Sequence, residues 1–264
     1  VIPPILPRLR QGHHTNRFPS EVPALPDRLR GRPVIDAALC PPGCHACADS
    51  CSVDAIAITT VNGKPRPALD LGKCLFCPDC TQACPEKALK FTPEYRLATS
   101  RRENLVIADG QVYALGKTLE AKLLRLYGRS LKLRVVSAGG CNGCEVDVNV
   151  LGTLAWDIGR FGISYVASPR HADGMLLCGP VSANMELAVR KTWEAIPEPK
   201  LCIAVGACAI AGGPFAGHPE QRDGAASVLP VDLFIPGCPP HPLTILDGLL
   251  RLIGRIEEQR VQSP

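Results

Sequence analysis

Aromatic side chains are scarce in this 264-residue chain: six Phe, four Tyr and two Trp, 5% in all. So few rings leave little material for a base-stacking face, and no nucleic-acid partner is expected. Long apolar runs are missing as well. No stretch approaches the roughly 18–20 uninterrupted apolar residues of a spanning helix. The opening segment, VIPPILPRLRQGHHTNRFPSEVPALPDRLRGRP, carries seven prolines and no continuous apolar core, so it does not read as a secretory signal. A large charge imbalance is absent too, with a net charge of +4. What surplus there is sits at one end. Within residues 1–33, Arg8, Arg10, Arg17, Arg28, Arg30 and Arg32 stand against only Glu21 and Asp27, which gives +4 and leaves the remainder neutral. A basic tail on a neutral body reads as an arm that docks on a partner or on an acidic membrane surface. A 46% share of hydrophobic residues is ordinary for a chain with a real core.

Cysteine is in excess, with fourteen residues. A reducing compartment is expected, where thiols serve as metal or redox ligands rather than disulfides. Eight of them lie between residues 36 and 92. CLFCPDCTQACP places Cys74, Cys77, Cys80 and Cys84 in the C-x2-C-x2-C-x3-C-P spacing of bacterial two-cluster ferredoxins. The short gaps wrap a loop round one cubane, so that thiolates and backbone N–H groups face it. The fourth Cys, set apart and followed by Pro, leaves for the other cluster. CPPGCHACADSC supplies Cys40, Cys44, Cys47 and Cys51; its first gap is three residues instead of two, and Ser52 stands where Pro is usual. Crossing then assigns Cys40, Cys44, Cys47 and Cys84 to one [4Fe–4S] cluster and Cys74, Cys77, Cys80 and Cys51 to a second. The alternative is zinc, whose structural sites use paired C-x2-C ligands rather than four-cysteine runs closing on Cys-Pro.

Four zones follow: an extended basic Pro/Arg-rich arm (1–35), a bacterial-type 2[4Fe–4S] ferredoxin domain (36–92), a helical linker (93–130) and an α/β domain (131–264). In the linker, Leu119, Leu123, Leu124 and Leu126 give a helical stripe. In the last zone LKLRVVSAGG, ISYVAS, GMLLCGPVS, KLCIAVGACA and VDLFIPGCPP read as strands. CEVDVNVLGTLAWDIGRFG, NMELAVRKTWEAIPEP and HPLTILDGLLRLIGRIEEQR read as helices, the first stopped by Gly162 and the second running from near Asn184 to before Pro197. The alternation predicts a flavodoxin-like, doubly wound parallel sheet. The crevice of such a sheet lies outside the carboxyl ends of its strands. Cys141, Cys144, Cys208 and Cys238 all fall just past such ends and together suit a third cubane. Gly139, Gly140, Gly143, Gly206 and Gly237 let backbone come close to it, and Pro239 and Pro240 stiffen the last loop. Cys208 and Cys238 as inert buried thiols is the plainer alternative. Cys178 and Cys202, inside apolar strands, are read in that plainer way. Glu145 and Asp147 suit a helix N-terminus; a subunit-interface or proton-transfer role is the sharper reading of Glu145. His241 either tunes a cluster sulfide through a hydrogen bond or simply starts a helix. His13, His14 and His45 are expected in solvent.

Residues 131–255 resemble the small subunit of membrane-bound, energy-converting [NiFe] hydrogenases (group 4, formate hydrogenlyase-like). That family is related to the 20 kDa subunit of respiratory NADH:quinone oxidoreductase. The resemblance is carried by GGCNGCEVDV, PEPKLCIAVGACAIAGGPF, LPVDLFIPGCPPHP and LLRLIGR. Residues 18–110 resemble the two-cluster ferredoxin subunit of the same assemblies through RGRPVIDAALC, LDLGKCLFCPDCTQACP and RLATSRRENLVI. Two subunits that are separate there form one polypeptide here. The quinone-reducing relative uses adjacent cysteines at the first ligand position, whereas Cys141-Asn-Gly-Cys144 has the hydrogenase-like spacing. The resemblance implies an iron–sulfur electron-transfer subunit with three [4Fe–4S] clusters. The third, on Cys141, Cys144, Cys208 and Cys238, would lie next to the catalytic site of a hydrogenase-type large subunit. No Ni–Fe ligand motif occurs on this chain, so no catalytic residue is expected on it. Further implied partners are membrane-integral subunits and an electron donor such as formate dehydrogenase, carbon monoxide dehydrogenase or ferredoxin. The implied location is cytoplasmic, peripheral on the inner face of the cell membrane through partner subunits. The alternatives are a subunit of a quinone-reducing NADH dehydrogenase-like complex, a hydrogenase-related complex without a Ni–Fe site, and a zinc-binding interaction module.

Overall fold

The arm opens in a short helix, α1 (Ile5–Gln11), with every residue facing solvent. Its start is therefore helical and not extended. Pro7 sits in the first turn, where a missing N–H forfeits no intrahelical bond. The structure is a computed structural model that describes residues 5–61, 64–110, 113–128 and 130–256. Past α1 the arm lies on the far half of its own chain. Thr15 Oγ1 donates to Leu154 O at 2.8 Å, and Asn16 N–H donates to Ala155 O at 2.9 Å. Arg160 reaches back with Nη1 to Asn16 O at 2.6 Å and Nη2 to Phe18 O at 2.9 Å. The arm then enters β1 (Pro33–Ile35).

The next residues repeat one unit twice: a cysteine loop, a short helix and a strand. The first unit holds α2 (Ala46–Asp49) and β2 (Ile56–Val61), which forms an antiparallel hairpin with β3 (Lys64–Asp70). The sequence reading passes over β3 because Pro65 and Pro67 each lack a ladder donor. The second unit holds α3 (Asp79–Ala83) and β4 (Leu89–Phe91), which pairs antiparallel with β1. Residues 93–130 depart from the expected helical linker. Val106–Ala108 form β5, which joins β3 antiparallel and completes a three-stranded sheet. Among the described residues there, only Ala121–Tyr127 form an α-helix, α4. The open edge of β3 captures a segment whose local sequence carries no strong strand pattern. Leu119 and Leu123 pack on the core, whereas Leu126 is 53% exposed.

The remaining elements are β6 (Leu131–Ser137), α5 (Gly143–Val150), β7 (Ile163–Tyr165), β8 (Gly174–Cys178), α6 (Ala183–Ala195), β9 (Leu201–Val205), α7 (Ala207–Ala211), β10 (Leu233–Ile235) and α8 (Pro242–Leu252). All five strands are parallel, in the order β10-β9-β8-β6-β7. Read from the β7 edge and numbered within this half, that is 2-1-3-4-5, the flavodoxin-like order. β8 and β9 are buried at every position, as the middle of a two-sided sheet requires. The first helix is shorter than expected: α5 ends at Val150, and turns lead to a 3-10 helix, Ile158–Phe161, before Gly162 at φ +78°. The closing helix is buried over all eleven residues. The EEQR end of its expected span lies outside the described residues.

The two halves meet along β10. Thr99 and Phe234 exchange backbone hydrogen bonds of 2.9 and 2.8 Å, and Ala98 and Thr99 have no exposed surface. Among the described residues no helix is long and apolar enough to cross a membrane.

Candidate functional site

Cys40, Cys44, Cys47 and Cys84 line one small cavity, walled by Ile58, Pro65 and Pro67. Cys51, Cys74, Cys77 and Cys80 line another, walled by Val53, Ile56 and Leu69. Each cavity thus takes three thiols from one run and one from the other. Backbone donors turn onto the sulfurs: Ala55 N–H to Cys51 Sγ at 3.2 Å, Phe76 N–H to Cys74 Sγ at 3.3 Å and Ala88 N–H to Cys84 Sγ at 3.2 Å. Burial pushes the Cys74 thiol up to about 12 against the pull of the Phe76 N–H, with Cys80 and Cys77 adding to the rise. Burial pushes Cys80 up to about 11, helped by Cys77 and Cys51. Thiols so crowded and desolvated stay protonated on their own, and cations among them reverse that balance.

The third set comes from three strand ends. Cys141 follows β6, Cys144 is the second residue of α5, Cys208 is the second residue of α7 after β9, and Cys238 follows β10. Cys141 and Cys238 are exposed, while Cys144 and Cys208 are half-buried. Burial raises Cys144, and then Cys208, Glu145, Cys238 and Cys141 raise it further. Burial takes Cys208 up to about 11, with Cys238 and Cys141 contributing. Cys238 is raised by burial, then by Cys141, then by Cys77 of the second ferredoxin set. Cys238 also lines one cleft with Leu75 and Phe76, so the rim lies next to the second cysteine loop. Gly206 keeps the space open: its φ is +90°, and a Cβ there would stand well under 3.0 Å from Cys144 Sγ. Gly237, at φ +151°, has Pro240 in the place of a Cβ. A Cβ at Gly140 would stand 3.1 Å from Gly179 Cα, whereas one at Gly143 would make only an ordinary contact with Cys141 Sγ, at 3.5 Å. Cys178 and Cys202 lie fully buried inside β8 and β9.

Four sulfur donors per set, N–H groups aimed at sulfur and a glycine-cleared space fit [4Fe–4S] ligation. Among the described residues no three His, Cys, Asp or Glu gather as a single metal ion would need. Glu145 is the third residue of α5; its Oε1 is buried and has no hydrogen-bond partner. Burial raises Asp147, which lines a cleft with Arg28, Arg30, Cys238 and His241. His241 caps α8: its Nδ1 accepts from Leu243 N–H at 3.1 Å, and burial lowers its pKa. His13, His14 and His45 are exposed. One contributor was not foreseen. Arg30 Nε donates to Phe76 O in the second cysteine loop and so straps the arm across the junction of the two halves. The alternation Arg28, Arg30, Arg32 was the available signal.

Residues 141–252 match the family model described as NADH ubiquinone oxidoreductase, 20 Kd subunit, and residues 39–88 match a 4Fe-4S dicluster domain. Formate hydrogenlyase subunit 7 of Escherichia coli (strain K12) is 39% identical over 54% of this chain and 56% of its own length. The chain thus spans little more than half of that relative. A probable membrane-bound hydrogenase subunit, mbhJ, of Pyrococcus furiosus is 39% identical over 52% of this chain and 81% of its own length. An NADH-quinone oxidoreductase subunit of Akkermansia muciniphila is 42% identical over 46% of this chain and 63% of its own. A solved chain of the membrane-bound sulfane sulfur reductase, an archaeal respiratory membrane complex, is 31% identical with a TM-score of 0.45, covering 52% of this chain and 75% of that one. With its cysteines at the strand ends of a parallel sheet and a relative matched over four-fifths of its length, the chain belongs to the family of the 20 kDa subunit of NADH:ubiquinone oxidoreductase.

Proposed function

We propose that this chain is the iron–sulfur electron-transfer subunit of a membrane-associated [NiFe] hydrogenase complex of the formate hydrogenlyase type. Cys40, Cys44, Cys47 and Cys84 hold a first [4Fe–4S] cluster, Cys74, Cys77, Cys80 and Cys51 a second, and Cys141, Cys144, Cys208 and Cys238 a third. The observation that carries the reading is the gathering of these cysteines by fours, two sets in shared cavities and the third within electrostatic reach of one another, with Cys238 of the third set lining one cleft with Leu75 and Phe76 of the second cysteine loop. When bound, the clusters supply one-electron transfer at potentials tuned by exposure and hydrogen bonding. The chain's own part is to hold them in series and keep water from the first two through Ile58, Pro65, Val53 and Leu69. The exposed Cys141 and Cys238 mark the face that a hydrogenase-type large subunit covers. Glu145, with its buried unpartnered oxygen, stands at that interface. Membrane-integral subunits hold the complex on the cytoplasmic face of the membrane. Formate dehydrogenase, carbon monoxide dehydrogenase or ferredoxin supplies electrons.

The Cys141-Asn-Gly-Cys144 spacing favours hydrogenase over quinone reductase. Nickel and iron measured together in the complex, isolated without air through this chain, test the proposal. About twelve irons for this chain's three clusters, any partner's iron apart, and about one nickel are expected. Iron without nickel would leave the electron relay but move the chain to a quinone-reducing complex or to one lacking a Ni–Fe site. Zinc in place of iron would overturn the reading.

A further inference from the structure

A cleft of about 630 Å³ lies away from the cysteine sets, where the arm, the segment after β4 and α8 meet. Such a volume is within the range of small-molecule sites. Phe18, Val22, Leu25, Val34, Pro93 and Ile256 give it apolar walls. Five charged residues also line it. Glu94 pairs with Arg96, and Asp247 accepts from Arg251 Nε at 2.8 Å. The fifth, Arg32, makes no ion pair among the described residues. It is 5% exposed, and its Nη1 is buried without a hydrogen-bond partner. Its guanidinium lies 5.5 Å from the centroid of the Tyr113 ring. That contact and the nearby Glu94 carboxylate, whose pKa Arg32 helps to lower, offset part of the desolvation, but a buried guanidinium that makes no ion pair of its own stays costly. The cleft therefore carries one surplus positive charge beside a long apolar wall.

We propose that this cleft binds an amphiphilic anion, with a carboxylate or phosphate head at Arg32 and an aliphatic body along Phe18, Val22 and Leu25. The chemistry follows from the pairing: two carboxylates neutralise two guanidinium groups, and the third guanidinium takes the ligand. Phe18 and Val22 belong to the arm and Asp247 and Ile256 to the far half, so the ligand ties the two together. The inference stands apart from the cysteine sets.

The test is calorimetric titration of the full chain, prepared without air, with octanoate, octyl phosphate and inorganic phosphate in turn. Octanoate or octyl phosphate is expected to bind, and inorganic phosphate at least ten-fold more weakly. Arg32→Gln should weaken the octyl ligand at least ten-fold, and Arg32→Lys should restore part of the loss. Val22 is 49% exposed, so Val22→Trp should fold and block the cleft with iron content unchanged. Equal binding by Arg32→Gln and the parent overturns the proposal, as does no binding of either octyl ligand. Binding that emerges only when Glu257 and Glu258 are both changed to Gln overturns it too, since the chain's own terminus would then be the occupant.

Discussion

Gly206 bears a tight constraint in the third cysteine set. Its φ of +90° already disfavours any side chain, at a cost of roughly 1–3 kcal/mol. The added methyl of Gly206→Ala also lands on Cys144 Sγ. The expected outcome is loss of the third set alone, with the chain's iron falling from about twelve to about eight atoms and both ferredoxin sets intact. Cys202→Ala is the control: it removes a small buried side chain from β9 and should leave the iron count alone. Iron analysis decides, and full occupancy in Gly206→Ala would take Cys144 out of the set. At this scale the sequence was most informative. The short spacings make the two cysteine runs legible, while the expected crossing of Cys51 and Cys84 comes from the two-cluster ferredoxin pattern and not from the spacing itself. Arg32 was not legible: nothing in RGRP says that its guanidinium is buried beneath Tyr113, because that contact joins residues 81 positions apart.

Among the elements, α8 concentrates two dependencies. His241 caps it by accepting from Leu243 N–H, which only the neutral imidazole can do. Burial holds the His241 pKa below its usual value. As pH falls below about 6.5, the unfolded chain takes up the proton first. Stability is therefore complete above the unfolded pKa and drains as pH falls toward the folded one. Asn also caps helices and does not titrate. Between about pH 7.5 and 5.5, the melting temperature of the parent should fall more than that of His241→Asn. Parallel pH profiles would remove His241 from the account. Nearly two turns further along, Asp247 and Arg251 form an ion pair with side chains 1% and 3% exposed. Asp247→Ala should cost about 3–5 kcal/mol by chemical denaturation, and Asp247→Ala/Arg251→Met should recover most of it. Recovery by the double variant separates a charge effect from a packing defect. The strands and helices of this half could be read from their alternation, because a two-sided parallel sheet imposes apolar runs of characteristic length. Residues 93–130 could not. β5 exists because β3 offers an unpaired edge, and the local sequence records only leucines at helical intervals.

At the scale of the whole molecule, the question is what keeps Cys238 beside the second cysteine loop. The two lie in separately recognisable halves, and a single polypeptide raises the effective concentration of one half for the other. Tethering alone leaves orientation free. Orientation comes from the Thr99–Phe234 bridge, from Arg30 on Phe76 O, and from Ala98 packed on Gly248 of α8. A Cβ at Gly248 would stand 2.7 Å from Ala98 Cβ, between two buried surfaces with no room to yield. Gly248→Val should therefore wedge the halves apart without touching any thiol. Iron should stay at its parental level. Thermal unfolding should split from one transition into two, because the halves no longer stabilise each other. The reduced protein should show weaker spin coupling between its second and third iron centres by electron paramagnetic resonance, because the coupling falls with distance. A variant that unfolds in two steps yet keeps the parental spectrum would place the control of cluster spacing in the Arg30 strap, and Arg30→Ala would then be the substitution that uncouples the centres.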